Sequence, residues 1–320
     1  MLIKEILKSR YKDLNIRIRS GRYYGIEIET EGKDLPYNVG DQWKAVEDGS
    51  LRPNPMALEY VSKNPVPYSK REAHLQEFKE FTSGATFTLS HRCSVHVHRN
   101  VMHLPIERVF KVVALYMMFE PALSSWCGEA RKGNRFCLRG IDSHVLVDWI
   151  GRIFHSNIAN ARPDNFKYSS VNVSTIPRLG TLEFRALEGT TDTERILKWI
   201  EIIECLFKYA VRTERIGDVV EGFYADPKGT VKNIFGKYSE ELFPEESVYT
   251  ECEYSISINI SMIHWDDKIM EKYAIVEEGE KDTSKKKPNE LEDLMREFIE
   301  ERDNNAQEVF RRVGVVWEHV

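Results

Sequence analysis

Four stretches of this chain alternate apolar and polar residues with period two, and each carries a distinctive pair on its polar side. Tyr23-Tyr24-Gly25-Ile26-Glu27-Ile28-Glu29 carries two carboxylates, and Val95-His96-Val97-His98 carries two imidazoles. Leu182-Glu183-Phe184-Arg185 carries a carboxylate and a guanidinium, and Val171-Asn172-Val173-Ser174 two neutral polar groups. Successive side chains of a strand point to opposite faces, so each stretch has one apolar and one polar edge. If the four share a sheet, one face is a dry core. The other is a floor of Glu, His, Arg and Asn, the groups that a hard-cation and phosphate site needs. A lone Glu-x-Glu is usually a solvated edge; the constraint comes from the same pattern returning with matched partners.

The rest of the chain supplies material to cover such a sheet. Trp43–Glu47 and Leu58–Ser62 read as strands, the first followed by the turn signal Asp48-Gly49-Ser50 and the second placing Glu59 on the side opposite Leu58 and Tyr60. Ser69 to about Phe81 has helical spacing, and Thr86–Asn100 reads as one strand containing both histidines. Pro105 precedes the strongest helix, Ile106 to about Trp126, apolar nearly all round and therefore expected to be buried. Further helices are expected over Val145–Asn160 and Asp192–Arg212, and strands over Lys167–Ser174, Gly180–Leu187 and Cys252–Ile260. Glu277–Asn289 is a charge-dense run expected to be a mobile loop, and Glu290 to about Arg312 an acidic helix. The expected organisation is a basic lead-in over 1–20, a catalytic core over 21–214 and a C-terminal extension over 215–320.

Composition excludes some classes of function. With 42% hydrophobic residues in 320, a sizeable core is affordable. A net charge of −6 and a pI of about 5.9 argue against a nucleic-acid-binding surface as the main business. The five cysteines are an odd number without a C-x-x-C pair, which points to free thiols in a reducing compartment. With no long apolar run, a soluble cytoplasmic protein without a membrane partner is expected, and homo-oligomerisation stays open.

The polar strand faces bring Glu27, Glu29, Glu59 and Glu183 toward His96. Four converging carboxylates repel one another unless cations intervene. A donor set of carboxylates with one or two imidazoles suits Mg2+ or Mn2+ better than structural zinc. Such ions, with Arg groups, are how a site grips a nucleoside triphosphate. Two thiol readings stand beside this: a zinc site of Cys93, His96 and His98, and Cys137 as a covalent nucleophile.

Gly25-Ile26-Glu27-Ile28-Glu29, Asp48-Gly49-Ser50-Leu51, Glu59-Tyr60-Val61-Ser62, His96-Val97-His98-Arg99-Asn100, Asn134-Arg135-Phe136-Cys137 and Thr181-Leu182-Glu183-Phe184-Arg185 follow one another in this order. The series resembles the amidoligases of bacteria and phages, relatives of glutamine synthetase and glutamate–cysteine ligase, over roughly residues 21–210. Where the family often has Gly before His-x-His, this chain has Ser94-Val95. The resemblance implies an α+β fold: a curved, mainly antiparallel sheet with helices on one face, of the glutamine-synthetase-like kind. It also implies ATP-dependent joining of a carboxylate substrate to an amine substrate through an acyl phosphate, with Mg2+ or Mn2+. By the same resemblance, Glu27, His96 and Glu183 hold the metal on the ATP phosphates, and Glu29 and Glu59 the metal nearer the carboxylate. Arg185 neutralises the moving phosphoryl, Arg135 adds a second positive charge, and His98 and Asn100 line the nucleotide or acyl-phosphate site. An inactive relative kept for binding or assembly, and a metal-dependent hydrolase, are the alternatives. The candidate substrates span amino acids, cell-wall peptides, a protein side chain and a modified nucleotide.

Overall fold

The computed structural model describes residues 1–8, 20–53, 55–162 and 166–273, all within the compact unit Met1–Ala274. Its centre is an eight-stranded sheet, antiparallel in every described ladder. The strands are β1 (Tyr23–Lys33), β2 (Trp43–Val46), β3 (Met56–Ser62), β4 (Val66–Pro67), β5 (Thr86–Phe87), β6 (Ser94–Asn100), β7 (Val171–Asn172) and β8 (Thr181–Glu188). Their order is β2-β3-β1-β6-β8-β7, with β4 and β5 pairing the two ends of β1. The four alternating stretches thus lie side by side as β1, β6, β8 and β7. The fold is α+β, as expected.

The apolar positions of these strands all fall on one face. Ile26, Ile28, Val95, Val97, Leu182 and Phe184 are fully buried, each contributing ~1.5–3 kcal/mol of transfer free energy. Helices cover them. Tyr60 packs on Phe78 and Phe81 of the Arg71–Phe81 helix, and Phe184 lies against Tyr116 of the Ile106–Met118 helix and Phe207 of the Thr193–Arg212 helix. Strand parity also sends Arg99 into this core. There Glu204 takes the Arg99 Nε–H at 2.9 Å and the Tyr24 hydroxyl, so the buried charge is paired. The long helix begins where expected because the Asp192 carboxylate caps it, accepting from the amides of Glu194 and Arg195.

Several elements differ from the sequence reading. The apolar helix over 106–126 is two, Ile106–Met118 and Glu120–Cys127. Pro121 has no N–H to give the Met117 carbonyl four residues back, and its ring crowds the preceding turn. That carbonyl accepts instead from Ser255 Oγ at 2.9 Å and Asn259 Nδ2 at 3.4 Å. The expected strand over 86–100 is interrupted by a turn in which the Cys93 amide donates to the Ser90 carbonyl, leaving β5 and β6. Gly32 lets β5 cross closely, since a Cβ there would lie 2.1 Å from the Thr86 carbonyl oxygen. The strand over 167–174 shrinks to Val171–Asn172, because Asn172 Oδ1 accepts from the Ser174 amide and hydroxyl and turns the chain away.

The expected strand at Cys252–Ile260 is instead part of the Glu246–Ile258 helix. Cys252, Ser255, Ile256 and Asn259 are buried while Tyr254 is exposed, a helical spacing that the Ser/Ile alternation disguises. The charge run at 277–289 and the acidic helix at 290–312 lie outside the described residues. No described helix is long and apolar enough to cross a membrane.

Candidate active site

The polar face of the sheet is built in cross-strand rows. Glu29 of β1 sits opposite Glu59 of β3, Glu27 opposite His96 of β6, and His98 opposite Glu183 of β8, which in turn faces Asn172 of β7. Directly opposed side chains on one face lie within contact distance. The strand register therefore brings together Glu27, Glu29, Glu59, His96, His98 and Glu183. A shift in the β6–β8 pairing sets Val95 opposite Leu187 and Val97 opposite Phe184, so Arg185 and Ala186 both face His96. Arg185 keeps its guanidinium on the polar side, where it pairs with Glu183 and comes within 3.5 Å of His96 Nδ1.

The contacts are close and mostly charged. His96 Nδ1 lies 3.1 Å from Glu27 and 3.5 Å from Glu183; His98 Nε2 lies 3.2 Å from Glu27 and 3.8 Å from Glu183. Glu29 accepts from the Ser94 amide at 2.7 Å and hydroxyl at 2.6 Å. Asn172 Nδ2 donates to Glu183 at 2.7 Å, and His98 Nδ1 lies 3.1 Å from the Thr181 hydroxyl.

This crowding divides the carboxylates. Burial pushes Glu59 up to about 8, and the charges of Glu27, Glu29 and Asp48 add to the rise. Burial also works against ionised Glu27 and Glu183, but the close contacts and charges of His96 and His98 hold Glu27 well below the usual range, and the charges of His98 and Arg185 hold Glu183 below it. Desolvation opposes a charge on His98, yet Glu183 and Glu27 outweigh it and raise its pKa.

Three groups of side chains offer atoms within 4.8 Å of one another: Glu27, His98 and Glu183; Glu27, Glu59 and His96; and Glu29, Asp48 and Glu59. Two observations fit a bound cation. His98 Nε2 is buried without a properly aligned hydrogen bond although carboxylates surround it. Glu59 also carries like-charge repulsion that a cation would remove. The donors are oxygens and imidazoles, suited to Mg2+ or Mn2+.

Asp48 is the residue missed by sequence reasoning, which took it for a turn. The turn itself is as expected, with the Ser50 amide and hydroxyl donating to the Asp48 carboxylate at 2.8 and 2.9 Å. The β2–β3 register pairs Val46 with Glu59, so the chain just past β2 runs beside Glu59. Arg92 Nη1 fixes the turn by donating to the Ser50 carbonyl at 2.9 Å.

Two expected residues lie apart from the cluster. Asn100 donates to the Gly21 carbonyl and accepts from the Met102 amide. Arg135 is exposed, its guanidinium 4.8 Å from the Phe136 ring centre. A neighbouring Arg does reach the sheet: buried Arg131 donates to the Arg185 carbonyl at 2.8 Å, beyond the end of short β7. The thiol alternatives fall away. Among the described residues no cysteine joins a group of side chains placed to hold a metal, and Cys93, just ahead of β6, and Cys137 are both buried, which pushes their thiols up to about 12 and about 11.

A family model described as "Putative amidoligase enzyme" matches residues 19–206. The chain belongs to the amidoligase family. No curated protein matches it. The matched span contains every carboxylate and imidazole of the amidoligase cluster, together with Asp48 and Arg185. It also contains the lining of a cavity of about 360 Å3 that opens beside the cluster. Glu27, His98 and Asn100 form its polar side, Val61, Pro65 and Met102 its apolar walls, and Lys44 and Lys63 also line it.

Proposed function

We propose that this amidoligase joins a carboxylate to an amine at the expense of ATP, with Mg2+ or Mn2+ in the carboxylate cluster. The observation that carries this reading is the order of groups along β8. Thr181 lines the cavity, Glu183 belongs to the cluster and Arg185 stands beyond it, on successive same-face positions ~6.6–6.8 Å apart. A nucleoside in the cavity would direct its phosphates across the cluster toward Arg185. The apolar walls suit a base, and the two lysines suit the phosphates.

Glu27, His98 and Glu183 would hold one cation, and Glu29, Asp48 and Glu59 a second. Bound there, the cations supply charge stabilisation to the phosphate oxygens. An oxygen of the acid attacks the γ-phosphorus and the bond to the ADP oxygen breaks, giving an acyl phosphate and ADP. The amine nitrogen then attacks the acyl carbon, the carbon–oxygen bond to phosphate breaks, and the amine loses a proton. Arg185 is the group in this chain that meets the moving phosphoryl. Glu183 orients it, and its pKa is raised mainly by that carboxylate against the cost of burial, so it stays charged throughout. Ser94 and Asn172 hold Glu29 and Glu183 in place through the hydrogen bonds described above.

The experiment is calorimetry of ATP binding with Mn2+ and with chelator, followed by phosphate release from pooled acids and amines. Binding that needs the metal, and release that needs both an acid and an amine, are the expected results. Equal ATP affinity in chelator overturns the two-cation reading. Release that proceeds without amine makes the protein a hydrolase, and absence of turnover across broad pools favours the binding-protein reading.

A further inference from the structure

Beyond Arg185, at the opposite end of β8 from the cavity, lies a ledge with a different chemistry. The rings of Phe136 and Tyr168 meet edge to face at 5.5 Å. Arg135 lies over Phe136 at 4.8 Å, Lys167 over Tyr168 at 4.7 Å, and Arg185 over Tyr168 at 5.9 Å. Arg135, Lys167 and Tyr168 are exposed. Among the described residues, neither Arg135 nor Lys167 has a carboxylate partner, whereas Lys132 and Arg139 in the same loop are paired with Glu129 and Asp142. The two segments are tied together by a parallel bridge between Leu138 and Ser169, so the rings are held at one place on the surface.

Resting on the ligase reading above, we infer that this ledge takes the acid substrate, and that the acid belongs to a peptide carrying additional carboxylates rather than to a free amino acid. A single carboxylate needs only Arg185 and the cations of the cluster. The ledge continues outward with two more positive charges on an aromatic floor, which serve a small substrate nothing. Cations seated on rings are held in a narrower set of rotamers than free surface lysines and arginines, so less ordering is required to meet an anion. Charge complementarity selects an acidic chain. Aromatic rings with cations also bind single-stranded nucleic acid, but the ligase reading requires a carboxyl group on the occupant, which a nucleic acid lacks.

The test compares triglutamate, free glutamate and a thymidylate trinucleotide by calorimetry at low ionic strength, with Mn2+ present. Two exposed charge pairs predict that triglutamate binds about three- to tenfold tighter than glutamate, an advantage that fades with added salt. The variant Arg135→Ala/Lys167→Ala should lose this advantage while keeping its melting temperature and its Mn2+ binding, because both side chains are exposed and outside the cluster. The inference is overturned if triglutamate binds no better than glutamate or not at all. It is also overturned if the double variant keeps the advantage, or if the trinucleotide binds as tightly as the peptide. Mn2+-dependent ATP binding is measured on the same two proteins. Its absence in the unmodified protein would sink the ligase reading while leaving the peptide preference to be judged on its own.

Discussion

Glu59→Gln should make the metal-free protein more stable and the metal-loaded protein less so. Burial, then the carboxylates of Glu27, Glu29 and Asp48, raise Glu59 from 4.5 to about 8 in the folded state. For a group raised in this way, the folded state binds a proton more tightly than the unfolded one. Its stabilising share is complete below about pH 4.5 and is lost as pH rises through 8. At ~1.4 kcal/mol per pKa unit the full span is roughly 4–5 kcal/mol. Screening at a partly exposed group reduces this to ~2–3 kcal/mol. Urea unfolding in EDTA at pH 5, 7 and 8.5 reads the effect. The unmodified protein should lose ~2–3 kcal/mol across that range on account of Glu59, and Glu59→Gln should lose correspondingly less. Saturating Mn2+ should reverse the order, since a ligand at about one hundred times its Kd adds ~2.7 kcal/mol to whichever protein binds it. Parallel pH profiles in EDTA would show that Glu59 takes up no extra proton on folding, as would a variant less stable than the parent at pH 8.5.

Arg185→Lys should lower kcat by about two to three orders of magnitude with a smaller loss of ATP affinity, because a point charge replaces a fork where phosphate charge is greatest in the transition state; steady-state kinetics that change only KM would make Arg185 a ground-state binder. Glu29→Ala and Glu183→Ala should each abolish amine-dependent phosphate release with the far-ultraviolet circular dichroism spectrum unchanged, and retained turnover in both would remove them from the cluster's function. Glu204→Ala should destabilise by ~3–5 kcal/mol in urea unfolding by leaving Arg99 buried without its partner; a loss below ~1 kcal/mol would mean that Arg99 finds another.

The polar face was legible because strand parity is a local property. Glu27 and Glu29, His96 and His98, and Glu183 and Arg185 each announce their face within four residues, and the sheet had only to set them side by side. Asp48 was not legible in the same way. Its place depends on the register of β2 against β3, a long-range fact, and the Asp-Gly-Ser signal correctly reports a turn. Cys252–Ile260 misled for a related reason. Alternating Ser and Ile satisfies period two, while the helical set Cys252, Ser255, Ile256 and Asn259 is polar enough to hide until Met117 is seen to accept from it. The break at Pro121 was in plain sight, but the apolar run on either side suggested continuity.

That break separates two boundaries that are easily equated, the limit of ancestry and the limit of cooperative folding. The family match ends at residue 206, yet the Met117 carbonyl released by Pro121 is satisfied by residues 255 and 259. Lys111, on the same helix, reaches forward to the Glu214 carbonyl and to Asp266 at 3.8 Å. A protein cut at the end of the matched span would keep the whole carboxylate cluster while exposing the back of its central helix, with a bare carbonyl and a solitary ammonium where neighbours had been. Recombination that exchanged only the matched segment would therefore inherit the chemistry without its support. Divergence in the last described helices is constrained by main-chain groups well over a hundred positions upstream.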